Sequence, residues 1–333
     1  MASCSDFAFL QLPPSVQQEQ LERFKGICAL YGFEGFLRLQ NAHVVVLGNG
    51  GVGSWIAESL CRTGVGALTL LDFDTIELSN SNRQLHTLST TIGASKAQTL
   101  GARLCAINPY LKLKTIEVQL TKDNVAQHLA QALGTSPEAL RACRATPLET
   151  IAEPQALAQQ RLRALYEEHT TVCPKTGLPL NVYVAEAIDD LFAKASAVDL
   201  LHRAHIPLVT SGGAGGRIDP SRVRLGDVSS AKGDQLIKRL RTELRRNYGY
   251  PKGADEAPKK AKLNSERFNI WCSYSDEKPL RAHDRALSDR TPDELGLETT
   301  PSLPAFGASV TVTATAGLLL ASVIIRWIVG ERV

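Results

Sequence analysis

The chain has 333 residues, 44% of them hydrophobic and 21% charged, with a net charge of +3. Such a length suits two domains of about 150 residues or one large one, and the composition excludes wholesale disorder, a collagen-like repeat and a low-complexity chain. The small net charge does not by its sum announce a nucleic-acid binder; its distribution matters more. The seven cysteines (Cys4, Cys28, Cys61, Cys105, Cys143, Cys173 and Cys272) are at least 24 residues apart, so no C-x-x-C pair exists. This spacing predicts reduced thiols, no zinc ribbon and an intracellular compartment, cytoplasmic or alternatively the mitochondrial outer surface. The opening MASCSDFAFLQLPPSVQQEQ lacks the basic region and apolar run of a secretory signal and the arginines of a transit peptide.

In chain order, residues 16–40 predict two short helices, with Leu21, Phe24, Ile27, Cys28 and Leu30 at helical spacing. The run His43-Val-Val-Val-Leu47 reads as a strand, Gly48-Asn-Gly-Gly-Val-Gly53 as a turn, Ser54 to Thr63 as a helix, and Ala67-Leu-Thr-Leu-Leu71 as a second strand ending in Asp72. Strand, glycine turn, helix and strand make half of a doubly wound, Rossmann-like α/β nucleotide-binding fold, with a mainly parallel sheet and helices on both faces. A helix follows from Lys96 to Ile107, stopped by Asn108-Pro109, and Leu111 to Gln119 alternates as a strand. The sheet is expected to resume at Val182 to Ile188 and at Pro207 to Thr210. Residues 134–181, rich in Ala, Gln, Glu and Arg, read as a surface insertion with one helix near 155–168, and 249–266 as a mobile loop. The uncharged tail from Phe306 to Ile325 is long enough to span a membrane. Its Ser and Thr residues favour a buried core or dimer-interface helix, although its first half alternates in strand fashion. The expected organisation is an N-terminal helical segment (1–40), a nucleotide-binding domain (41–225) carrying the insertion, and a smaller C-terminal α/β portion (226–333) for substrate and dimer contacts.

Gly48, Gly50 and Gly53 fit G-x-G-x-x-G, which lets the backbone approach a pyrophosphate at a helix N-terminus. Asp72 lies 19 residues beyond Gly53, where a carboxylate can take ribose hydroxyls. The loop says nucleotide, but not which one. The next segment, Asp72-Phe-Asp-Thr-Ile-Glu-Leu-Ser-Asn-Ser-Asn-Arg-Gln84, followed by Lys96, supplies the cations that a triphosphate requires and a nicotinamide site does not. Asp189, at the tip of a later strand, is a candidate magnesium ligand or, alternatively, a helix cap, a task that Asp190 would perform equally well.

The run VVVLGNGGVGSWIAESLCRTGVGALTLLDFDTIELSNSNRQLH resembles the adenylating domain of ubiquitin-activating enzymes and their bacterial relatives in molybdopterin and thiamin synthesis. Three further stretches are similar to the tRNA threonylcarbamoyladenosine dehydratase branch of that superfamily. They are Arg23-Phe-Lys-Gly-x-x-x-Leu-Tyr-Gly32, Ile206-Pro-Leu-Val-Thr-Ser-Gly-Gly-Ala-Gly-Gly-Arg-Ile-Asp-Pro220 and Phe306-Gly-Ala-Ser-Val-Thr-Val-Thr-Ala-Thr315. The resemblance implies that Gly48, Gly50, Gly51 and Gly53 form the phosphate loop of an ATP site, that Asp72 binds ribose with Asp74 close by, and that Asn80, Arg83 and Lys96 surround the triphosphate. It also implies that Arg23 reaches a phosphate from the partner of a homodimer, and that Asp189 holds Mg2+. Relatives often carry an Asp three residues before that aspartate; this chain has Glu186, which keeps the charge but moves it by a methylene. The same resemblance puts Cys272 in a loop beyond the nucleotide, either as the carrier of an acyl or persulfide intermediate fed by a sulfur-donor protein or as a structural cysteine.

Residues 232–262 hold ten Lys or Arg against four acids, a concentration suited to a phosphate backbone. Tyr248, Tyr250 and Trp271 lie close by in sequence as candidates to stack on an unpaired base of an anticodon loop. The expected reaction is an ATP-dependent dehydration of threonylcarbamoyladenosine in tRNA. ATP activates the threonyl carboxylate with help from Arg83, Lys96 and magnesium, and a neighbouring ureido group closes a ring. Activation of a ubiquitin-like or sulfur-carrier protein tail is the alternative. A dinucleotide oxidoreductase and a catalytically silent tRNA scaffold fit the polar constellation less well.

Overall fold

A computed structural model describes residues 7–174, 176–251, 267–281 and 304–333. Along the chain run α1 Pro14–Arg23, α2 Lys25–Asn41, β1 His43–Leu47, α3 Gly53–Arg62, β2 Ala67–Leu71, α4 Lys96–Ile107, β3 Lys112–Ile116, α5 Val125–Leu133, α6 Pro137–Ala142, α7 Pro154–Tyr166, β4 Val182–Glu186, α8 Leu191–Arg203, β5 Leu208–Ser211, β6 Val223–Asp227, α9 Gln235–Tyr248, β7 Trp271–Ser275 and α10 Val310–Val329. Among the described residues the strands form one seven-stranded sheet in the order β3-β2-β1-β4-β5-β7-β6. Every pairing is parallel except that of β6 with β7.

Successive side chains on a strand face opposite ways, and both sets are apolar here. Val45, Leu47, Val182 and Val184 pack with α5, α8 and α9 on one face. Val44, Val46, Tyr183 and Ala185 pack with α3, α4 and α10 on the other. That is why β1 and β4 read as near-continuous apolar runs, as parallel strands covered on both sides do. At the edge, β3 carries Lys112 and Lys114 outward, which blunts pairing with another chain.

The tail is a core helix, as expected. α10 is the one described helix long and apolar enough to cross a membrane by length and composition, yet 61% of its apolar 18-residue window is buried. Leu320, Ala321, Val323, Ile324, Trp327 and Ile328 belong to the core beneath the sheet. Its strand-like alternation was misleading, because Thr and Val at every second position also fall on two helical faces. The expected boundary at residue 225 lies inside β6, and 226–333 adds β7 and α10 to the same sheet and core. The loop expected at 249–266 falls, from residue 252 on, outside the described residues.

The stretch 134–181 contains its expected helix, α7, but is more than a surface addition. Leu140 and Cys143 enter the main core, and Leu162, Leu165 and Tyr166 form a third cluster with Phe7, Phe9, Phe24 and Phe36. Arg161, which composition alone would place in solvent, is 2% exposed. It donates to the carbonyls of Leu180 (3.0 Å), His205 (2.8 Å), Pro179 (2.5 Å) and Val182 (3.3 Å), clamping α7 to the start of β4. Burial draws its pKa down to about 10. Arg161→Leu strands these carbonyls without a donor, and a loss of roughly 3 kcal/mol or more is expected from urea denaturation.

Candidate active site

The carboxyl ends of β2, β1, β4 and β5 open in that order onto one cleft of about 1300 Å³, where folds of this kind bind ligands. At its centre is the turn after β1. Gly48 adopts φ +82°, and a β-carbon on Gly53 would stand 1.8 Å from the Gly48 carbonyl oxygen. Only glycine at both positions lets the strand turn this sharply into α3, whose N-terminus then faces the cleft. Gly51 is hemmed in by Arg83 Cγ at 3.2 Å and Thr313 Cγ2 at 3.3 Å from where its β-carbon would be. The start of α10 therefore braces the glycine loop from behind.

Gly48, Gly50, Gly51, Asp72, Asp74, Asn80, Arg83, Lys96 and Asp189 all line this cleft. Asp72 accepts from the Asn49 amide at 2.6 Å and the Asp74 amide at 2.9 Å, tying the end of β2 to the glycine loop. Burial raises its pKa, opposed by those two amides and by Lys96. Lys96, the first residue of α4, is 7% exposed and bonds Asp74 Oδ2 at 2.6 Å. The Asp74 side chain is 44% exposed, so an arriving polyanion can compete with it for the ammonium. Arg83 donates to the Ser79 carbonyl at 3.0 Å and Asn82 Oδ1 at 2.8 Å, and its own carbonyl accepts from Trp55 Nε1 at 3.2 Å. Asn80 is buried and accepts from the Glu77 amide at 3.1 Å, so its carboxamide shapes the turn that presents Arg83.

The two aspartates after β4 divide their tasks. Asp190 caps α8, accepting from the Ala193 amide at 2.7 Å. Asp189 is exposed to the cleft. Glu186 is not available to a ligand: it is 0% exposed and bonds Lys194 Nζ, the Thr210 hydroxyl and, at 2.7 Å, the Ile188 amide. Its longer side chain reaches inward, into an ion pair with an equally buried lysine, and fixes the turn that carries Asp189.

Three expected residues lie elsewhere. Gly53 packs under the loop without lining the cleft. Arg23 donates to the Ile107 carbonyl at 2.7 Å and to Glu19 at 2.8 Å, joining α1 to the end of α4 outside the cleft. Cys272 is on β7, not in a loop; it is 0% exposed and paired in register with Thr210 and Gly226. Burial pushes its thiol well above the ordinary range, the reverse of what a nucleophilic or sulfur-carrying cysteine requires. Sequence could not show this, because apolar-Cys-polar runs occur in strands and loops alike.

The structure brings into the cleft residues to which motif reading assigned no role. The glycine loop after β5 lies across the cleft from Gly48–Gly53. Buried Asp234 holds it, accepting from the Gly213 amide at 3.0 Å while capping α9 and facing Arg217 at 3.4 Å. Phe73 and Phe306 line the same cleft, 53% and 43% exposed. The glycines were visible in the sequence, but their partners come from distant segments. The buried Glu186–Lys194 pair yields a clear expectation. Lys194→Met, which leaves the carboxylate alone, costs about 3–5 kcal/mol in chemical denaturation, and Glu186→Gln added to it recovers part of the loss.

Residues 25–139 match the ThiF family. The chain is 32% identical over 302 residues to the tRNA threonylcarbamoyladenosine dehydratase of Escherichia coli K12, covering 90% of this chain and 91% of that one. It is 27% identical to the protein of that name from Bacillus subtilis 168, covering 87% of each. Crystal structures of the E. coli dehydratase in complex with AMP and with ATP each superimpose with a TM-score of 0.65 at 29% identity, over 92% of this chain and 94% of theirs. The chain belongs to the tRNA threonylcarbamoyladenosine dehydratase family.

Proposed function

We propose that this protein is an ATP-dependent tRNA threonylcarbamoyladenosine dehydratase that closes the threonylcarbamoyl side chain of the nucleoside next to the anticodon into a ring. The observation that carries this reading is the convergence of Gly48, Gly50, Gly51, Asp72, Arg83, Lys96 and Asp189 on a single cleft, in a chain matched along nine-tenths of its length by that family. Asp72 takes the ribose hydroxyls of ATP. The phosphates run from it along the glycine loop and the α3 N-terminus toward Arg83 and Lys96. A threonyl carboxylate oxygen attacks the α-phosphorus, the bond to the bridging oxygen breaks and pyrophosphate departs. Arg83 and Lys96, the latter released from Asp74, balance the charge that develops on the phosphates. A ureido nitrogen or oxygen of the same substrate then attacks the acyl carbon, a ureido N–H loses its proton, and AMP leaves with the carboxylate oxygen. The net change is loss of one water. The attack is intramolecular and gains from proximity.

Asp189 fits magnesium. It is an exposed carboxylate released from capping duty by Asp190, and this ion typically takes one or two carboxylates together with substrate phosphates. When bound, magnesium supplies charge neutralisation to the triphosphate. With its thiol in the core, Cys272 has no part in this mechanism, and the expected sulfur-donor partner, which depended on that thiol, is not carried into it. Arg23 would act across a homodimer, reaching the partner's cleft from the end of α1.

For tRNA, α9 offers the surface. Ile237, Leu240 and Leu244 are buried at helical spacing, which turns Lys238, Arg239 and Arg246 to solvent. Lys252, Lys259, Lys260 and Lys262 lie outside the described residues, and Arg241 is buried on the carbonyls of Val228 and Ala231, each at 3.0 Å. Of the three expected stacking residues, one is buried and two are partly buried. Tyr250 is 5% exposed and bonds His202 at 2.9 Å, and Tyr248 and Trp271 pack partly buried against the cores.

Purified protein incubated with ATP, magnesium and tRNA bearing the modified nucleoside should yield a nucleoside lighter by one water on mass spectrometry. Lys96→Ala and Asp189→Asn should each lower kcat/KM by roughly 100-fold or more. An unchanged mass, with ATP still bound, would redirect the search to protein-tail substrates. Replacing Arg239 and Arg246 with alanine should weaken tRNA binding and flatten its salt dependence by about one unit of log–log slope for each lost phosphate contact.

A further inference from the structure

One cleft must hold two purines, that of ATP and that of the substrate nucleoside, and two phenyl rings stand exposed in it. Phe73 follows Asp72 at the end of β2, in a cleft that Val118 and Leu120 also line, on the side where a ribose held by Asp72 places the adenine of ATP. Phe306 lies at the opposite end. Across the sheet, β1 and then β4 separate β2 from β5, and Phe306 packs on the glycine loop that follows β5. A β-carbon on Gly215 would stand 3.3 Å from Phe306 Cβ, and one on Gly216 would stand 2.9 Å from Phe306 Cδ1. The ring therefore rests on bare backbone that only glycine supplies.

The platform is fixed from several sides. The Gly216 amide donates to the Gly307 carbonyl at 2.7 Å, and the Leu280 amide donates to the Gly216 carbonyl at 2.7 Å. Asn82, next to Arg83, donates to the Ala308 carbonyl at 2.8 Å. The Arg281 guanidinium sits 6.0 Å from the ring centroid, within cation–π range, and adds positive charge at the rim. An apolar ring left 43% exposed in so polar a cleft, with its backbone pinned and a cation alongside, is what unpaired nucleobases require: a π-face to stack on and charge for the phosphate.

We propose that Phe306 is the stacking platform for the modified adenine of the tRNA, a reading that rests on the dehydratase function proposed above. The base enters from the β5 side, and its threonyl carboxylate points past Asp189 toward the α-phosphate. Phe73 serves the adenine of ATP.

The test separates the two substrates. Phe306→Ala should raise the KM for tRNA about 10- to 100-fold, the range expected for one lost base stack, and leave the Kd for ATP within twofold; Phe306→Tyr should behave as the wild type. In F306W an indole replaces the ring, and its emission, after subtraction of the wild-type signal, should be quenched by tRNA bearing the modified nucleoside and not by ATP. Quenching by ATP alone, an equal loss of ATP affinity in Phe306→Ala, or an unchanged KM for tRNA would each overturn the proposal. A wild-type protein that leaves the nucleoside mass unchanged would defeat the dehydratase reading instead, and the indole titration would then decide by itself whether a tRNA base stacks at this position.

Discussion

The contact on which the site depends most is the ion pair between Glu186 and Lys194, both fully buried. Two charges without water are expensive unless each is hydrogen-bonded by well-placed neighbours. Here the carboxylate answers to three donors at once: Lys194 from α8, Thr210 from β5, and the Ile188 amide in its own turn. These contacts draw β4, β5 and α8 to one point directly beneath the cleft. The turn above them has little freedom, so Asp190 caps the helix and Asp189 faces the ligand space. The carboxylate of Glu186 thus serves as a strut below the ligand space.

The same economy governs the other walls. Each polar group facing the ligand is backed by one that holds it in place. Asp72 is set by two amides, Arg83 by Trp55 and Asn82, and the glycine loop after β5 by Asp234. Lys96 is held by Asp74, whose side chain is 44% exposed, so a phosphate can displace it. Sites that keep their dipoles oriented before the substrate arrives have little reorganisation left to do at the moment of reaction.

Segments remote in sequence make this possible. The N-terminal helices and the stretch 134–181 share a cluster of aromatic and leucine side chains, and Arg161 ties that cluster to the first residues of β4 through backbone carbonyls. From the other end of the chain, α10 enters the core and touches the phosphate loop. A β-carbon on its Gly317 would lie 2.6 Å from the Val52 carbonyl oxygen, so helix and loop approach as closely as backbones allow. The nucleotide loop is therefore braced by residues more than 250 positions later in the chain.

Local pattern determined a good deal of this. The strand, turn and helix at 43–62, the helix from Lys96 to Ile107 and the acid at 72 follow from apolar periodicity and from glycines at positions where no other residue fits. They sufficed to indicate the doubly wound sheet and most of the cleft, because in such folds the carboxyl ends of adjacent strands must meet. The residues that local pattern misjudged are those whose meaning is set by neighbours far along the chain. Cys272 and Tyr250 looked reactive or available but are core residues, since strand pairing and helix packing, not composition, decide what water reaches. Arg161 and Glu186 looked solvated or ligand-facing but are buried, each satisfied by partners contributed from separate segments. Phe306 stood at the head of a motif with no role attached to it, and its exposure in the cleft exists only once the loop after β5 and the start of α10 have been brought together. Backbone conformation is encoded within a few residues, whereas burial and partnership are properties of the assembled chain.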